Sequence, residues 1–391
     1  MKYDFDKIIP RRGTDCIKWD KADDGELPMW VADMDFPTAP CIVEALRRRV
    51  EHGIFGYGLV PESFYESIIR WCDRRYGWTP QREWMLYTSG VVPALSAIIR
   101  GLVQPGEAVL FMTPAYNCFF SSTSNNGCRE VHFPLTWNIE TEHYSIDFEK
   151  FEDSVRRERP RLFILCNPHN PTGRVWTADE LQHIADICAR HDVIVLADEI
   201  HCEFVDPQLG RRFQPFAPIA ETAGCRWVVA NAPNKAFNIA GLMTAYIVTP
   251  FDELRQAIDR AININEVCDI NIFAYVALQA AYTPEGEEWL NQLVAYIYDG
   301  YRHFRSRMKE ALPELPIAHL EGTYLAWADV SHLGDSQDIS LSLRKNNHVW
   351  VNPGDMYGKT GFLRINLATQ HQQLEEATSR IIEGLTERYK T

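Results

Sequence analysis

The chain has 391 residues, of which 46% are hydrophobic and 24% are charged, and its formal net charge at pH 7 is -14. A chain of this length exceeds one ordinary hydrophobic core, so we expect two domains in a soluble protein of enzyme size. The acidic balance argues against a protein that binds nucleic acid by neutralising phosphates.

Ten cysteines lie between Cys16 and Cys268, without a C-x-x-C pair or the His/Cys spacing of a zinc site. We interpret them as reduced thiols and expect no metal site. Residues 1–16 are charged and lack the apolar segment of a signal peptide, and no apolar run approaches membrane-spanning length. The sequence therefore predicts a cytoplasmic protein without a membrane partner.

The chain begins with an irregular arm, residues 1–40, that is rich in turn formers. Helical patterns then occupy residues 42–50 and 62–76, and the glycine-flanked loop 55–58, FGYG, lies between them. The arm does not have the pattern of a self-sufficient unit. We expect it to join a later part of the chain.

Short apolar runs alternate with helical patterns between residues 84 and 248, and the runs occupy 109–112, 162–166, 193–197, 227–230 and 245–248. Continuous apolar strands separated by helices are typical of a mainly parallel sheet that is covered on both faces. Thr177 and Glu180 have the spacing of a capping box, which marks one helix start. Because ligands collect at the carboxyl ends of such strands, the residues after each run are the first candidates for a site.

Past residue 282 the pattern changes to that of a smaller α+β unit. Apolar residues at helical spacing between 290 and 308 predict a long amphipathic helix. Two alternating segments and a final helix follow, at 323–330, 362–367 and 372–389. We therefore predict two domains, a large one over 46–282 and a small one formed by 1–45 with 283–391.

Four polar anchors fall at or near the ends of the predicted strands, namely NPHNPTG at 167–173, DEIH at 198–201, Lys235 in NAPNKAFNIAG at 231–241, and Arg364 in FLRIN at 362–366. A lysine among small and apolar residues is poorly solvated, so it loses its proton more easily and can form a Schiff base. Each anchor alone also has an ordinary interpretation: a loop lysine, a helix cap at Asp198, a proline-rich turn or an exposed arginine. Their order along the chain favours the chemical interpretation.

Together and in this order, the motifs resemble those of pyridoxal-phosphate (PLP) enzymes of the aspartate aminotransferase fold, fold type I. Within that fold the chain is most similar to the MalY/PatB branch of cystathionine β-lyases, or C-S lyases, over essentially its whole length. The resemblance implies an α/β large domain, in which helices flank a mainly parallel seven-stranded sheet, and a smaller α+β domain. It also implies PLP as cofactor, an amino-acid substrate and a homodimer with shared active sites.

The resemblance assigns the catalytic chemistry to three residues. Lys235 would bind the cofactor and move protons at the substrate Cα, and Asp198 would pair with the pyridine nitrogen. A carboxylate there favours the protonated ring, which draws electrons from a Cα carbanion. Tyr116, in TPAYN at 113–117, matches an aromatic residue that stacks on the pyridine ring, although a tyrosine after a Thr-Pro turn can also be simple packing.

Further cofactor contacts are implied around the ring and the phosphate. Asn170 would donate to the phenolic oxygen, with its bond to Pro171 in the cis form. Gly90 and Val91 precede a helical pattern at 94–102, so backbone N–H groups there can hold the phosphate, although a Ser-Gly pair before a helix is also an ordinary N-cap.

His201 and Asn234 complete the predicted cofactor contacts. His201 stands where many aminotransferases of this fold carry a tyrosine that contacts the cofactor oxygen. This histidine favours the lyase branch, but a packed histidine without a chemical role fits the sequence equally well. Asn234 directly precedes Lys235 and falls where the family flanks the phosphate.

The predicted substrate site consists of Arg364, Asn170, Asp33 and Tyr57. Arg364 matches the arginine that grips the α-carboxylate, a group that a guanidinium can bind with two parallel hydrogen bonds. Tyr57 resembles a tyrosine that reaches the phosphate from the neighbouring subunit, which is why the resemblance implies a homodimer.

The sequence departs from the family pattern around Lys235. Family members usually carry hydroxyl residues at the places of Ala232, Asn234 and Ala236, and several carry an arginine at the place of Met243. A lost hydrogen bond to a charged group costs about 1.5–3 kcal/mol, so cofactor affinity would fall roughly 10- to 150-fold. We expect weaker cofactor retention with the chemistry unchanged.

The leading functional prediction is a PLP-dependent C-S β-lyase that acts on cystathionine, cysteine or related cysteine S-conjugates and releases pyruvate, ammonia and a thiol. An aminotransferase is the alternative, because it needs the same lysine, aspartate, asparagine and arginine. A PLP-bound interaction protein that restrains a transcriptional regulator, a role known for part of this branch, is an alternative from another class. The sequence does not identify the thiol side of the substrate.

Overall fold

The computed structural model describes residues 2–264 and 270–389. Its helices are α1 (Ile17–Asp20), α2 (Pro40–Glu51), α3 (Glu62–Tyr76), α4 (Val91–Leu102), α5 (Asn117–Asn125), α6 (Phe148–Glu158), α7 (Ala178–Arg190), α8 (Phe216–Ala223), α9 (Asp252–Asn263), α10 (Ile272–Ala281), α11 (Pro284–Ala311), α12 (Ser336–Asn347) and α13 (His371–Tyr389). Short 3₁₀ helices occupy Arg82–Trp84, Ala240–Leu242, Ser331–Leu333 and Gly354–Tyr357.

The strands are β1 (Leu27–Pro28), β2 (Met85–Thr88), β3 (Ala108–Thr113), β4 (Arg129–Pro134), β5 (Thr136–Asn138), β6 (His143–Ser145), β7 (Leu162–Cys166), β8 (Ile194–Asp198), β9 (Trp227–Asn231), β10 (Ala245–Val248), β11 (Leu325–Asp329), β12 (Val349–Trp350), β13 (Asn352–Pro353) and β14 (Phe362–Asn366). All five predicted apolar runs are strands, β3 and β7 to β10. The sequence patterns did not predict β2 or β4.

Seven strands form the central sheet in the order β2-β10-β9-β8-β7-β3-β4. β10 runs antiparallel to both of its neighbours, whereas the pairs from β9 to β4 are parallel. The prediction of a mainly parallel seven-stranded sheet is therefore confirmed. Every residue of β7, β8 and β9 is buried, as expected for strands that are covered on both faces.

The two faces of this sheet belong to two separate hydrophobic clusters. Along β3, Val109 and Phe111 pack into one cluster, while Leu110 and Met112 pack into the other. Strand side chains alternate between faces, so a continuous apolar run supplies both cores. This explains why β3 has no hydrophobic alternation in its sequence.

Helix ends follow the local signals. The predicted capping box is present at α7, where the Thr177 hydroxyl accepts from the Glu180 N–H and the Glu180 carboxylate accepts from the Thr177 N–H. α3 ends at Gly77, whose φ of 65° is the left-handed conformation that glycine adopts without strain.

A second sheet, in the order β11-β14-β13, lies in the C-terminal part with α11, α12 and α13. The N-terminal arm joins this part, because β1 pairs in parallel with β12 and Asp35 N–H donates to the Ala368 carbonyl. This arrangement agrees with the predicted small domain, although the domain boundaries stay a prediction.

The described residues also bear on the expected absence of metal and membrane segments. Nine cysteines are free thiols, and the tenth, Cys268, lies outside the described residues. Within 2–264 and 270–389, no group of three or more His, Cys, Asp or Glu side chains could hold a metal ion. In the same ranges, no helix is both long and apolar enough to cross a membrane.

Candidate active site

The predicted anchors converge on one cavity of about 460 Å³ at the carboxyl ends of the central strands. Its walls include Gly90, Val91, Tyr116, Asn170, Asp198, His201, Asn234, Lys235 and Arg364. Other clefts in the described chain are larger, such as one of about 650 Å³ beside α4. We take the smaller cavity as the candidate site, because it gathers nine of the predicted side chains and backbone groups, and a site is recognised by its chemistry.

Lys235 follows β9 and projects into this cavity. Its Nζ donates to the carbonyl of Ala32 at 2.5 Å. Burial and the nearby Arg364 cation lower the pKa of Lys235 to about 8, and the carboxylates of Asp33 and Asp198 oppose this shift only in part. About a tenth of this amine is therefore unprotonated, and nucleophilic, at pH 7, far more than for a lysine with the ordinary pKa of 10.5.

Asp198 is the last residue of β8 and is 3% exposed. Its Oδ1 accepts from the Ile200 N–H at 3.2 Å, and within the described part of the chain no side chain donates to this carboxylate. Burial raises the pKa of Asp198 to about 6, against the Ile200 hydrogen bond and the Lys235 charge. The carboxylate is therefore available for a cationic ligand group, which would favour its charged form.

Arg364, on β14 of the second sheet, contacts Asn170, which lies in the loop after β7 of the central sheet. The guanidinium donates through one NH1 to the Asn170 Oδ1 at 3.3 Å and through NH2 to the Trp30 carbonyl at 2.9 Å. Its Nε is buried without a partner, and it forms no ion pair with any described acidic residue. A buried, uncompensated guanidinium is suited to an anionic ligand, and a carboxylate fits its two-pronged geometry.

The Asn170 amide oxygen is occupied by Arg364, which leaves the amide nitrogen as a donor for a ligand. The side chain is 4% exposed, and the Asn170–Pro171 peptide bond is cis as predicted. The proline-rich motif thus places one polar side chain beside the candidate carboxylate-binding group.

An anion site is present at the start of α4. Gly90 is the N-cap, and no side chain caps the helix there. The first N–H groups of a helix are unsatisfied within the helix and lie at the positive end of its dipole. Asn234 faces the same cavity and its amide nitrogen can donate to an anion, so this end of the cavity can hold a phosphate.

His201 and Tyr116 complete the walls. Burial, with the Lys235 and Arg364 charges, holds the pKa of His201 well below its usual range, so the ring is neutral. Its Nδ1 is buried without a partner, and the ring also packs edge-on against Tyr324 at 5.8 Å. His201 therefore combines both predicted features, packing and a cavity position. The Tyr116 ring meets Phe119 edge-on and is half-buried.

Two predicted site residues do not line the cavity. Tyr57 is 97% exposed on the loop before α3. The Asp33 carboxylate is ion-paired with Arg11 at 2.8 Å, so within this chain it faces another side chain. The Asp33 carboxylate acts on Lys235 through its charge, which raises the pKa of that lysine. Both roles stay predictions.

The four residues that depart from the family pattern differ in whether they line the cavity. Ala232 and Ala236 are buried, and only Asn234 and Met243 face the cavity. Met243 is 51% exposed with a φ of 56°. The expected weakening of cofactor retention stays a prediction.

The sequence patterns missed several groups that shape the site. Tyr357 lies under the Arg364 guanidinium, with 4.6 Å between the guanidinium carbon and the ring centroid. Asn352 donates to the Trp30 carbonyl at 2.9 Å and to the Tyr357 hydroxyl at 3.0 Å. Asn352 lies in the two-residue strand β13 and Tyr357 ends the 3₁₀ helix Gly354–Tyr357, and elements this short leave no periodic signal in the sequence.

These features fit PLP part by part. Lys235 offers an amine for the aldehyde, Asp198 a carboxylate for the ring nitrogen, Asn170 a donor for the phenolic oxygen, and α4 a phosphate site. Three buried polar atoms around the cavity, on His201, Asn234 and Arg364, lack a protein partner. Unpartnered buried polar atoms are costly, so their concentration here supports a polar ligand.

Comparison with known proteins gives a consistent result. Residues 27–381 match the family model described as aminotransferase class I and II. The chain is 35% identical over 392 residues to cystathionine β-lyase PatB of Bacillus subtilis, covering 98% of this chain and 100% of PatB. It is 33% identical to protein MalY of Escherichia coli, covering 98% and 99%. The structure of cystalysin from Treponema denticola, which contains a pyridoxal 5'-phosphate cofactor, superposes with a TM-score of 0.93 at 29% identity, covering 99% of this chain and 100% of cystalysin.

Proposed function

This chain belongs to the aminotransferase class I and II family, and from that premise we propose that it is a PLP-dependent C-S β-lyase. Its substrates are cysteine S-conjugates, including cystathionine. The observation that carries the proposal is the convergence of Lys235, Asp198, Asn170 and Arg364 on one cavity. The similarity to PatB and to cystalysin supports the same reaction class.

When bound, PLP withdraws electrons from the bonds at the Cα of an amino acid. Asp198 would pair with the protonated ring nitrogen, and Asn170 would donate to the phenolic oxygen. The backbone N–H groups of Gly90 and Val91 would hold the phosphate, with Asn234 beside it, and Tyr116 would pack against the ring.

Arg364 orients the substrate by its α-carboxylate. Its guanidinium contacts Trp30 and Asn170, so its direction is fixed before the substrate arrives. A fixed bidentate donor holds Cα within reach of Lys235. The two residues influence each other through space, because the Arg364 charge lowers the pKa of Lys235.

Lys235 acts as the base that removes the Cα proton, since its lowered pKa leaves much more free amine near neutral pH than an ordinary lysine has. The bond between Cβ and sulfur then breaks with its electron pair on sulfur, and the thiolate takes up a proton. The remaining three-carbon unit takes up water and yields pyruvate and ammonia. The net reaction consumes one water per substrate and needs no oxidant or acceptor.

Replacing Arg364 with lysine should lower kcat/KM for cysteine S-conjugates about 10- to 150-fold, since one of two charge-assisted hydrogen bonds to the carboxylate is lost. Lysine keeps the positive charge but not the planar fork. Steady-state kinetics measure the effect. An unchanged kcat/KM would mean that Arg364 does not bind the carboxylate.

The reactivity of Lys235 should depend on pH with a midpoint near its lowered pKa of about 8. The free amine is the nucleophile, so the rate of PLP capture by the cofactor-free protein rises from pH 6 and levels off above about pH 9. For an ordinary lysine, with a pKa of 10.5, the rate of PLP capture would continue to rise beyond pH 10. Stopped-flow absorbance distinguishes the two profiles.

The enzyme works as a homodimer, in which Tyr57 of each chain reaches the phosphate in the other. The exposure of Tyr57, 97% in the single chain, supports this arrangement. Tyr57→Phe should weaken PLP binding roughly 10- to 150-fold through the lost hydrogen bond to a charged group, as measured by PLP titration. A holoprotein that sediments with the mass of one chain would contradict the shared site.

An aminotransferase is the runner-up, because the same residues serve it up to the loss of the Cα proton. No observation in the described residues favours the regulator-binding alternative. The first test of the lyase is thiol release, by a thiol-reactive dye, when PLP-loaded protein meets L-cystathionine or S-benzyl-L-cysteine. No thiol from either substrate would reject the lyase.

A further inference from the structure

The part of the cavity that remains beside the cofactor and carboxylate groups is largely apolar. Apart from the groups to which the proposed reaction gives a role, the cavity lining includes Trp30, Val31, Met356 and Tyr357. Two asparagines, Asn117 and Asn352, also line the cavity, and their side chains are polar but uncharged. An apolar lining with few polar groups selects ligands by shape and by apolar surface.

The charges of this cavity are all engaged by the proposed reaction. The cations in its described lining are Lys235 and Arg364, and the carboxylate is Asp198. His201 is neutral, as its lowered pKa shows. The next charge, on Asp33, is compensated by Arg11 at 2.8 Å. No described charge therefore remains for a second charged end of the substrate.

Trp30 forms a rigid apolar wall at this place. Its ring stacks on Trp350 with 4.3 Å between ring centroids and 9° between planes. Its Nε1 donates to the Lys18 carbonyl at 3.2 Å, and the Arg344 guanidinium lies 3.6 Å from the Trp350 ring centroid on this stack. The indole is thus held by two neighbours, one of which is itself covered by Arg344, and does not need to reorganise when a ligand arrives.

The same residue is tied to the carboxylate-binding group. The Trp30 carbonyl accepts from Arg364 NH2 at 2.9 Å, so the backbone of this lining residue contacts the group that would hold the substrate carboxylate. In the proposed dimer, the loop 53–60 that carries Tyr57 reads GIFGYGLV and contributes no charged side chain. Its exposed members, Ile54, Phe55 and Leu59, would add apolar surface.

We propose that this site selects cysteine conjugates whose sulfur substituent is uncharged and apolar over L-cystathionine, and that Trp30 is the residue that sets this preference. The proposal rests on the lyase function. The distal part of L-cystathionine carries an ammonium and a carboxylate, which lose hydration in the cavity without gaining partners. A benzyl or alkyl group gains apolar contact with Trp30 instead.

The test compares kcat/KM for S-benzyl-L-cysteine and L-cystathionine with the PLP-loaded enzyme. Both release an alkyl thiolate, so the chemical step is comparable and the ratio reports recognition. We expect S-benzyl-L-cysteine to be favoured at least about tenfold, the scale of discrimination in an apolar pocket. A ratio of one or less would overturn the preference while leaving the lyase intact, whereas no thiol from either substrate would reject both.

A binding measurement without turnover provides a second readout. In the analogues 2-amino-5-phenylpentanoate and 2,7-diaminosuberate, a methylene replaces the sulfur of the two substrates. Calorimetry should give a dissociation constant at least about tenfold lower for the phenyl compound, for the same reason. Equal or reversed affinities would contradict the selection in the ground state.

Two variants test the role of individual residues through the substrate ratio, which does not depend on the folded fraction. Trp30→Ala should lower the ratio about tenfold, and Trp30→Phe should restore most of it. Met356 lines the cavity and is 45% exposed. The variant Met356→Arg should lower the substrate ratio, because the new guanidinium provides a partner for the distal carboxylate of L-cystathionine.

The matched control is Leu341→Arg, because Leu341 is 48% exposed on α12 and does not line the cavity. This control should leave the ratio unchanged. If Trp30→Ala also leaves it unchanged, Trp30 does not set the preference.

Discussion

Replacement of Lys235 by alanine should reduce thiol release from cysteine S-conjugates about 10²- to 10⁴-fold, the range expected when a positioned base is removed. The variant loses both the amine that binds the cofactor and the base at Cα. Lys235→Arg should be equally inactive, because an arginine keeps its proton at all relevant pH values. Thiol assays on PLP-loaded protein measure both losses.

The control is Lys359→Ala, which removes an exposed lysine outside the cavity and should leave kcat within about twofold, as expected for a surface change. Thermal unfolding shows whether each variant is folded. Activity of Lys235→Ala within tenfold of the original would mean that another group removes the proton.

Asp198→Asn should lower kcat about 10²- to 10³-fold, the usual effect of removing one preorganised electrostatic partner. An amide carries no charge and does not stabilise the protonated ring nitrogen. The remaining site is unchanged in shape, because asparagine has nearly the same volume. The effect should therefore be larger on kcat than on the dissociation constant of the substrate.

Glu199→Gln provides a matched control at the next position. The Glu199 carboxylate is buried, accepts from the Phe216 N–H at 2.8 Å and does not line the cavity. Burial raises its pKa to about 8, so it is largely protonated at pH 7 and already resembles an amide. We expect this variant to keep its kcat; equal losses in both variants would mean that Asp198 acts only through local structure.

The sequence predicted five of the seven strands of the central sheet, β3 and β7 to β10, because burial on both faces leaves continuous apolar runs. The helices with clear amphipathic patterns, such as Glu62–Tyr76, were predicted within a residue. β4 (Arg129–Pro134) was missed, because it lies at the edge of the sheet and alternates charged with apolar residues. The order of the anchors predicted their meeting point, since parallel strands end at one edge.

Other parts of the site depend on contacts that no local pattern contains. Asn352 and Tyr357 reach the cavity from a two-residue strand and a short 3₁₀ helix, and their contacts to Trp30 and Arg364 join distant parts of the chain. The ion pair between Arg11 and Asp33 likewise has no sequence signal. Tyr57 shows a further limit, because its predicted partner would belong to a second chain.

The measurement that tests the lyase most directly is pyruvate release from a cysteine S-conjugate over many turnovers, with and without an added 2-oxo acid. A lyase returns the enzyme to its starting form at each turnover, so we expect pyruvate and thiol in equal amounts and at the same rate in both conditions. Consumption of the conjugate only when the 2-oxo acid is present, without release of thiol or pyruvate, would contradict the account and identify an aminotransferase.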